Sequence, residues 1–350
     1  MERMDQGMPF LLKYENVAWY EDGKVRILDR RVFPTEVRFV ECESYQEVRQ
    51  AIADMVTQSA GPYTAVGMGM ALAAWQVRGE AQEKQIAFLK QAAYDLAHAR
   101  PTTANRYGQI TYRAEELAEK ALEEGRDPIE AIVDSTVASL NRRYGTMQLV
   151  GDRLAALIPQ GGCILTQCFG ETIIGTLIRA AREQGKDFRV CCAETRPYLQ
   201  GARLTASCFA EMGFDTTVLT DNMIAWAMER GDIDLFTSAA DTITRDGHIA
   251  NKIGTLQIAV LADHFSVPYY VTGIPDGDKA GRDDIVIEMR DPRQVLCYRG
   301  IPNCLPQVKA VYPAFDVVPP ELITGVVTDK GLYAPDRLAR YFDGENQSFY

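Results

Sequence analysis

Histidine is scarce in this chain, with three in 350 residues, and none of the eight cysteines are spaced as C-x-x-C. A structural zinc site, which needs several such ligands close together, is not expected. No apolar run reaches the ~18 residues of a membrane-spanning helix, and the opening stretch MERMDQGMPF lacks the apolar core of a signal peptide. Positive charge is also short, with 37 Lys and Arg against 48 Asp and Glu for a net charge of -11. Nucleic acid and anionic membranes reward clustered cations, so neither is an expected partner. An anionic metabolite remains compatible if one pocket supplies a few donors. No G-x-G-x-x-G motif, internal repeat or low-complexity segment occurs, so a dinucleotide is not indicated. A soluble cytoplasmic protein without cofactor or metal is the expectation. The cysteines Cys42, Cys163, Cys168, Cys191, Cys192, Cys208, Cys297 and Cys304 fall partly in apolar strand-like runs. They read as small buried hydrophobes in a reducing compartment, Cys168 being the exception.

What is present is a change of pattern along the chain. Residues 17–28 carry two short apolar runs around Glu21-Asp22-Gly23-Lys24, the pattern of a β-hairpin. From residue 44 to about 142 the spacing becomes helical, with Val48, Ile52 and Met55 on one face and Asp127-Pro128 opening a new helix. After about residue 150, strands are predicted at 163–166, 188–192, 216–220, 234–238 and 269–272, separated by helical segments. That alternation predicts an α/β fold: an N-terminal domain over 1–148 (β-hairpin extension 1–40, helical 41–148) and a doubly wound, Rossmann-like domain over 149–350. The glycine- and charge-rich stretch 273–284 reads as a mobile surface loop or lid.

In a doubly wound sheet, ligands sit beyond the carboxyl ends of the strands, near the switch in strand order. Cys168 follows the first strand and precedes a helix, where a helix N-terminus would lower its thiol pKa. Asp241 follows the fourth strand after two alanines, leaving room for a substrate. Asn251 and Lys252 stand just before a helix opening at Gly254, and an amide, an ammonium and helix N–H groups make a plausible phosphate clamp. Asp221 is placed to cap the helix that follows it.

The string Glu194-Thr195-Arg196-Pro197-Tyr198-Leu199-Gln200-Gly201-Ala202-Arg203-Leu204-Thr205-Ala206 resembles the ETRP-x-x-QGARLTA signature of the methylthioribose-1-phosphate isomerases. That family shares a superfamily with the α, β and δ subunits of initiation factor 2B. The resemblance extends to residues 27–31, 99–105, 220–223 and 250–255, and to Pro313-Ala314-Phe315-Asp316-Val317 with Pro319-Pro320-Glu321-Leu322-Ile323-Thr324. It therefore covers nearly the full length, and the C-terminal string is typical of the isomerase branch.

The resemblance implies a helical domain joined to a Rossmann-like domain, a homodimer, and a small-molecule sugar phosphate as substrate. It implies that Cys168 and Asp241 are catalytic, with Asp241 as acid/base. Arg100, Gln200, Asn251 and Lys252 would contact substrate and phosphate, as would the segment containing Gln58, Ser59 and Ala60. The expected activity is aldose–ketose isomerisation of a 5-substituted ribose 1-phosphate: methylthioribose 1-phosphate foremost, 5-deoxyribose 1-phosphate or ribose 1,5-bisphosphate otherwise. A non-catalytic sugar-phosphate or nucleotide sensor, like the translation-factor subunits, is the alternative. The family's Arg-Gly-Ala phosphate segment has no arginine here, since the corresponding stretch reads Thr57-Gln58-Ser59-Ala60-Gly61. Its His-Cys-Asn at the cysteine is Gln167-Cys168-Phe169, its Gly-Ala-Asp-Arg is Ala239-Ala240-Asp241-Thr242, and its Asp before the ETRP string is Ala193.

Overall fold

A computed structural model describes residues 3–100, 104–298 and 300–343. Pro101, Thr102 and Thr103 of the 99–105 motif lie outside them. The chain divides into two compact units, with main spans Met1–Gly145 and Thr146–Gln347.

In the first unit, strands β1 (Ala18–Glu21), β2 (Lys24–Leu28) and β3 (Phe39–Cys42) form a small antiparallel sheet. Asp22 and Gly23, both with positive φ, make the tight turn between β1 and β2, as the sequence predicts. A short helix α1 (Tyr14–Val17) precedes β1, and helices α2 (Tyr45–Ala53), α3 (Gly61–Gln76), α4 (Gln82–Ala97), α5 (Ala104–Glu123) and α6 (Pro128–Leu157) follow. Ser44 caps α2 by accepting from the Glu47 N–H, while the Glu47 carboxylate accepts from the Glu43 N–H, a reciprocal cap of the capping-box kind. α3 is apolar all round, and thirteen of its sixteen residues are buried. A helix with no polar face can only be a central one, and α3 is the core of this unit. The division between the units falls inside α6, three residues before the predicted boundary.

The second unit holds the α/β sheet. Its strands and helices are β4 (Cys163–Gln167), α7 (Glu171–Glu183), β5 (Arg189–Ala193), α8 (Ala206–Glu211), β6 (Thr216–Leu219), α9 (Ile224–Glu229), β7 (Leu235–Ala239), β8 (Thr242–Ile243), β9 (Ile249–Lys252), α10 (Thr255–His264), β10 (Tyr269–Thr272), β11 (Cys297–Tyr298), β12 (Ile301–Pro302), β13 (Phe315–Val318), β14 (Gly325–Val327) and β15 (Leu332–Tyr333). Among the described residues, seven strands form the main sheet in the order β15-β14-β10-β7-β4-β5-β6. All of its pairs are parallel except β14 with β15. β4 is buried along its whole length, which is why it reads as an uninterrupted apolar run. From β4 the chain moves through β5 to β6, then crosses back to lay β7 on the other side of β4. The switch in strand order therefore lies between β4 and β7.

A second, antiparallel sheet in the order β13-β9-β8 stands at the end of β7. The sequence pattern did not reveal it. Asn251 and Lys252 lie on β9, paired with Asp316 and Phe315 of β13 and just before α10, as predicted, but on a strand that the pattern does not show. The ribbon continues past β13, because the Arg290 N–H donates to the Tyr312 C=O and the Ala314 N–H to the Glu288 C=O. The stretch 273–284 is tied to β8 rather than lying open as a lid. The Asp276 carboxylate accepts from the Ile243 N–H, and the Arg245 N–H donates to the Lys279 C=O. No described helix is long and apolar enough to cross a membrane.

Candidate active site

Cys168 leaves β4 with φ of 60°, a left-handed backbone conformation that costs a non-glycine residue energy and persists only when its neighbours over-determine it. Here they do. Its N–H donates to the Thr195 hydroxyl at 2.9 Å, and its C=O accepts from the Thr205 hydroxyl. Thr195 and Leu199, in the same motif, also have positive φ. Asp221 holds that motif from below, its two carboxylate oxygens accepting the Thr195 and Arg196 N–H groups at 2.9 and 2.8 Å. It caps no helix of its own, contrary to the sequence expectation, because these more distant donors take both oxygens. Gly201 begins a short π-helical turn, Gly201–Thr205, where a Cβ would fall 1.8 Å from the Ala193 C=O. Only glycine fits there. The helix predicted from residue 200 therefore begins as this wider turn, which holds Gln200 with its side chain 5 % exposed and its Oε1 without a hydrogen-bond partner among the described residues.

Gln167, the last residue of β4, ties the cysteine strand to the β9 turn. Its Nε2 donates to the Ile253 C=O at 2.8 Å, and its Oε1 accepts from the Thr255 hydroxyl at 2.5 Å. The Asn251 amide reaches the same hydroxyl at 3.1 Å. Gly254, with φ of 101°, leaves just enough room, since a Cβ there would lie 3.0 Å from Gln167 Nε2. Asp316 completes the turn, accepting from the Gly254 N–H at 2.6 Å and the Leu256 N–H at 3.1 Å. Burial raises its pKa, partly offset by those two donors. The start of α10 is thus occupied by a carboxylate of the protein itself. Two of the N–H groups there, those of Gly254 and Leu256, already donate to Asp316.

Lys252 is 5 % exposed, with Nζ 4.7 Å from the centroid of Phe315. Arg290 also stands over Phe315, and over Tyr198, at 5.8 Å from each centroid. Glu288 pairs with Arg290 through Nε at 3.1 Å and Nη2 at 3.4 Å. Asp241 follows β7, its N–H donating to the Ala250 C=O, with its side chain exposed. Burial pushes the Cys168 thiol up, Lys252 and Arg290 oppose that, and Asp241 adds to it. The expected lowering by a helix N-terminus is overturned, because desolvation of the thiolate outweighs the nearby cations. Lys252, Asp241 and Arg290 are thus each within electrostatic reach of the Cys168 sulfur.

In the second unit the structure thus gathers Cys168, Asp241 and Lys252 around the sheet's switch point, with Asn251 and Gln200 on the segments that shape it. Arg290, Tyr198 and Tyr312 were not anticipated: Tyr198 falls at an unspecified position of the ETRP string, and no quoted motif contains the other two. Arg100, half-buried beyond α4, and Gln58, Ser59 and Ala60, before α3, belong to the first unit. Gln58 is buried there, its C=O accepting from Arg30 at 2.6 Å and its Nε2 donating to the Met55 C=O.

A profile described as the Initiation factor 2 subunit family matches residues 63–335. The chain belongs to this family. It is 36% identical over 339 residues to a methylthioribose-1-phosphate isomerase of Chloroflexus aurantiacus, covering 92% of this chain and 96% of that one. It is 37% identical to a methylthioribose-1-phosphate isomerase of Desulforudis audaxviator, covering 91% and 94%. Among solved structures, it resembles 5-methylthioribose 1-phosphate isomerase from Pyrococcus horikoshii OT3 with a TM-score of 0.82 and 29% identity, over 98% of each chain. The delta subunit of translation initiation factor eIF-2B from A. fulgidus matches with a TM-score of 0.78 and 30% identity, over 91% of this chain and 96% of that one.

Proposed function

We propose that this chain is an aldose–ketose isomerase acting on a 5-substituted ribose 1-phosphate, methylthioribose 1-phosphate foremost. The observation that carries this reading is the meeting of Cys168 and Asp241 at the two strand ends flanking the switch point, in the company of Lys252 and Arg290. The isomerase relatives, alike along nearly their whole length, support the reaction class.

A sugar 1-phosphate is a locked acetal. The ring C1–O bond must break with protonation of the ring oxygen, and one hydrogen must pass from C2 to C1 while the C2 hydroxyl becomes a carbonyl. Asp241, exposed at the site, is the proposed acid/base, giving a proton to the ring oxygen and taking one from the C2 hydroxyl. Cys168, held as a neutral thiol by burial, suits a role as hydrogen-bond donor or proton carrier rather than nucleophile. Lys252, Asn251, Gln200 and Arg100, with the segment at 57–61, are the proposed substrate and phosphate contacts.

A binding protein without turnover is the second reading, favoured by the likeness to the eIF-2B delta subunit and by the lost arginine at 57–61. Phosphorus NMR on purified protein with a panel of pentose 1-phosphates separates the two. New ketose 1-phosphate resonances support the isomerase. Perturbed signals without any new product would favour the binding protein.

A further inference from the structure

The Arg290 side chain is 8 % exposed, and one edge of its guanidinium is neutralised by Glu288. Its other terminal nitrogen, Nη1, is buried without a hydrogen-bond acceptor among the described residues. The Tyr312 hydroxyl lies within reach of a weak hydrogen bond to Arg290, yet neither it nor Nη1 makes one of ordinary geometry. Buried charged donors are rarely left so, because water no longer compensates the unmade hydrogen bond. The rings of Tyr198 and Phe315 hold the guanidinium in place and shield it from water. Lys252, over the same Phe315 ring, brings a second cation to that spot, and backbone hydrogen bonds fix the ribbon that carries both. Two cations on one ring, one with an unused donor, suit a dianion better than a neutral hydroxyl.

We infer that Arg290 is a substrate-binding residue, its Nη1 donating to a phosphate oxygen of the sugar phosphate, and that with Lys252 it supplies the anion grip that residues 57–61 lack. This rests on the proposed isomerase reading. It goes beyond that reading by assigning the phosphate to cations of the second unit, at a time when the start of α10 is already taken by Asp316.

The test compares wild type with Arg290→Lys and with the double variant Arg290→Met/Glu288→Gln, which avoids stranding the Glu288 carboxylate. Melting temperature, steady-state isomerisation of methylthioribose 1-phosphate and calorimetric titration with inorganic phosphate are measured for each. The expected result is a KM raised at least about tenfold in the double variant and several-fold in Arg290→Lys, whose single ammonium lacks the fork. The turnover number should stay within about threefold and the melting temperature near wild type. Should the double variant fail to fold, Arg290→Lys still decides, because a purely structural cation would leave KM unchanged. If wild type turns over and the folded variants share its KM, the inference is overturned while the isomerase reading stands. If wild type does not turn over but its phosphate affinity falls in the same order through the variants, the isomerase reading fails while the anion site survives. Phosphate affinity unchanged across the variants, in that case, overturns both.

Discussion

Residues 57–61 and residues 251–255 are both turns that open onto a helix, and the resemblance assigns phosphate contacts to each. Their polar groups are arranged in opposite ways. At 251–255 the groups are joined to one another: Asn251 to Thr255, Thr255 to Gln167, and Gly254 and Leu256 to Asp316. At 57–61 the Thr57 hydroxyl and the Gln58 Oε1 are buried without hydrogen-bond partners among the described residues, while the fully buried Arg30 supports the Gln58 C=O from behind. The first turn is a preformed scaffold that presents Lys252. The second carries buried neutral groups where the family pattern of the resemblance has an arginine. On this account recognition of the anion has moved toward the ribbon of β9 and β13, which carries Lys252 and Arg290.

The largest effect should come at the proposed acid/base. Asp241→Asn should lower kcat by roughly two orders of magnitude or more, because an amide cannot transfer a proton, with phosphate affinity and melting temperature unchanged. Near-wild-type turnover in that variant would remove Asp241 from the mechanism.

Next comes the scaffold. Gln167→Ala cuts the link from β4 to the β9 turn and leaves the Ile253 C=O and Thr255 hydroxyl without it, at a cost of about 1–3 kcal/mol. Asp316→Ala uncaps α10 for about 1–2 kcal/mol. Urea denaturation checks both, and midpoints equal to wild type would mean the turn is not the rigid element described here.

The comparison itself is sharpened by a pair of variants in a KM measurement. Lys252→Ala should raise KM about tenfold, equivalent to about 1.4 kcal/mol, whereas Gln58→Ala should change it by less than about threefold. Equal effects would put the two turns on the same footing.

The smallest effect is one of pH on the first unit. Burial works to raise the Asp29 pKa, but Arg31 and Arg38 outweigh it and hold the carboxyl at about 2, below its ordinary 3.8. A depressed folded pKa means that this stabilisation is full above pH 4 and is lost as pH falls from 4 through 2. Arg31→Ala should flatten that part of the stability profile, followed by the urea midpoint between pH 4 and 2.

Much of this was legible in the sequence, for identifiable reasons. Parallel strands buried on both faces leave continuous apolar runs, as in β4 and β7; these and β5, β6 and β10 lie within a residue or two of their predicted positions, and their order put Cys168 and Asp241 at strand ends. β9 and β13 escaped because Asn251, Lys252 and Asp316 interrupt any alternation, and because their pairing joins distant parts of the chain. The Cys168 thiol was misjudged since a helix start is visible in sequence and burial is not. Asp221 looked like a local cap because its real partners, Thr195 and Arg196, precede it by a whole strand. Arg290 carries no motif, and only the ribbon brings it to Lys252.

The central claim is that a sugar phosphate binds over Cys168 at the β4–β7 switch point, and alkylation tests it most directly. Wild-type protein is treated with iodoacetamide at about pH 9, with and without methylthioribose 1-phosphate, and the labelled cysteines are mapped by mass spectrometry. The exposed Cys304 should label first and be indifferent to ligand. Cys168, with its raised thiol pKa, should label more slowly, faster as pH rises, and be protected by the sugar phosphate at least about fivefold. Equal labelling of Cys168 with and without a saturating sugar phosphate would contradict the account.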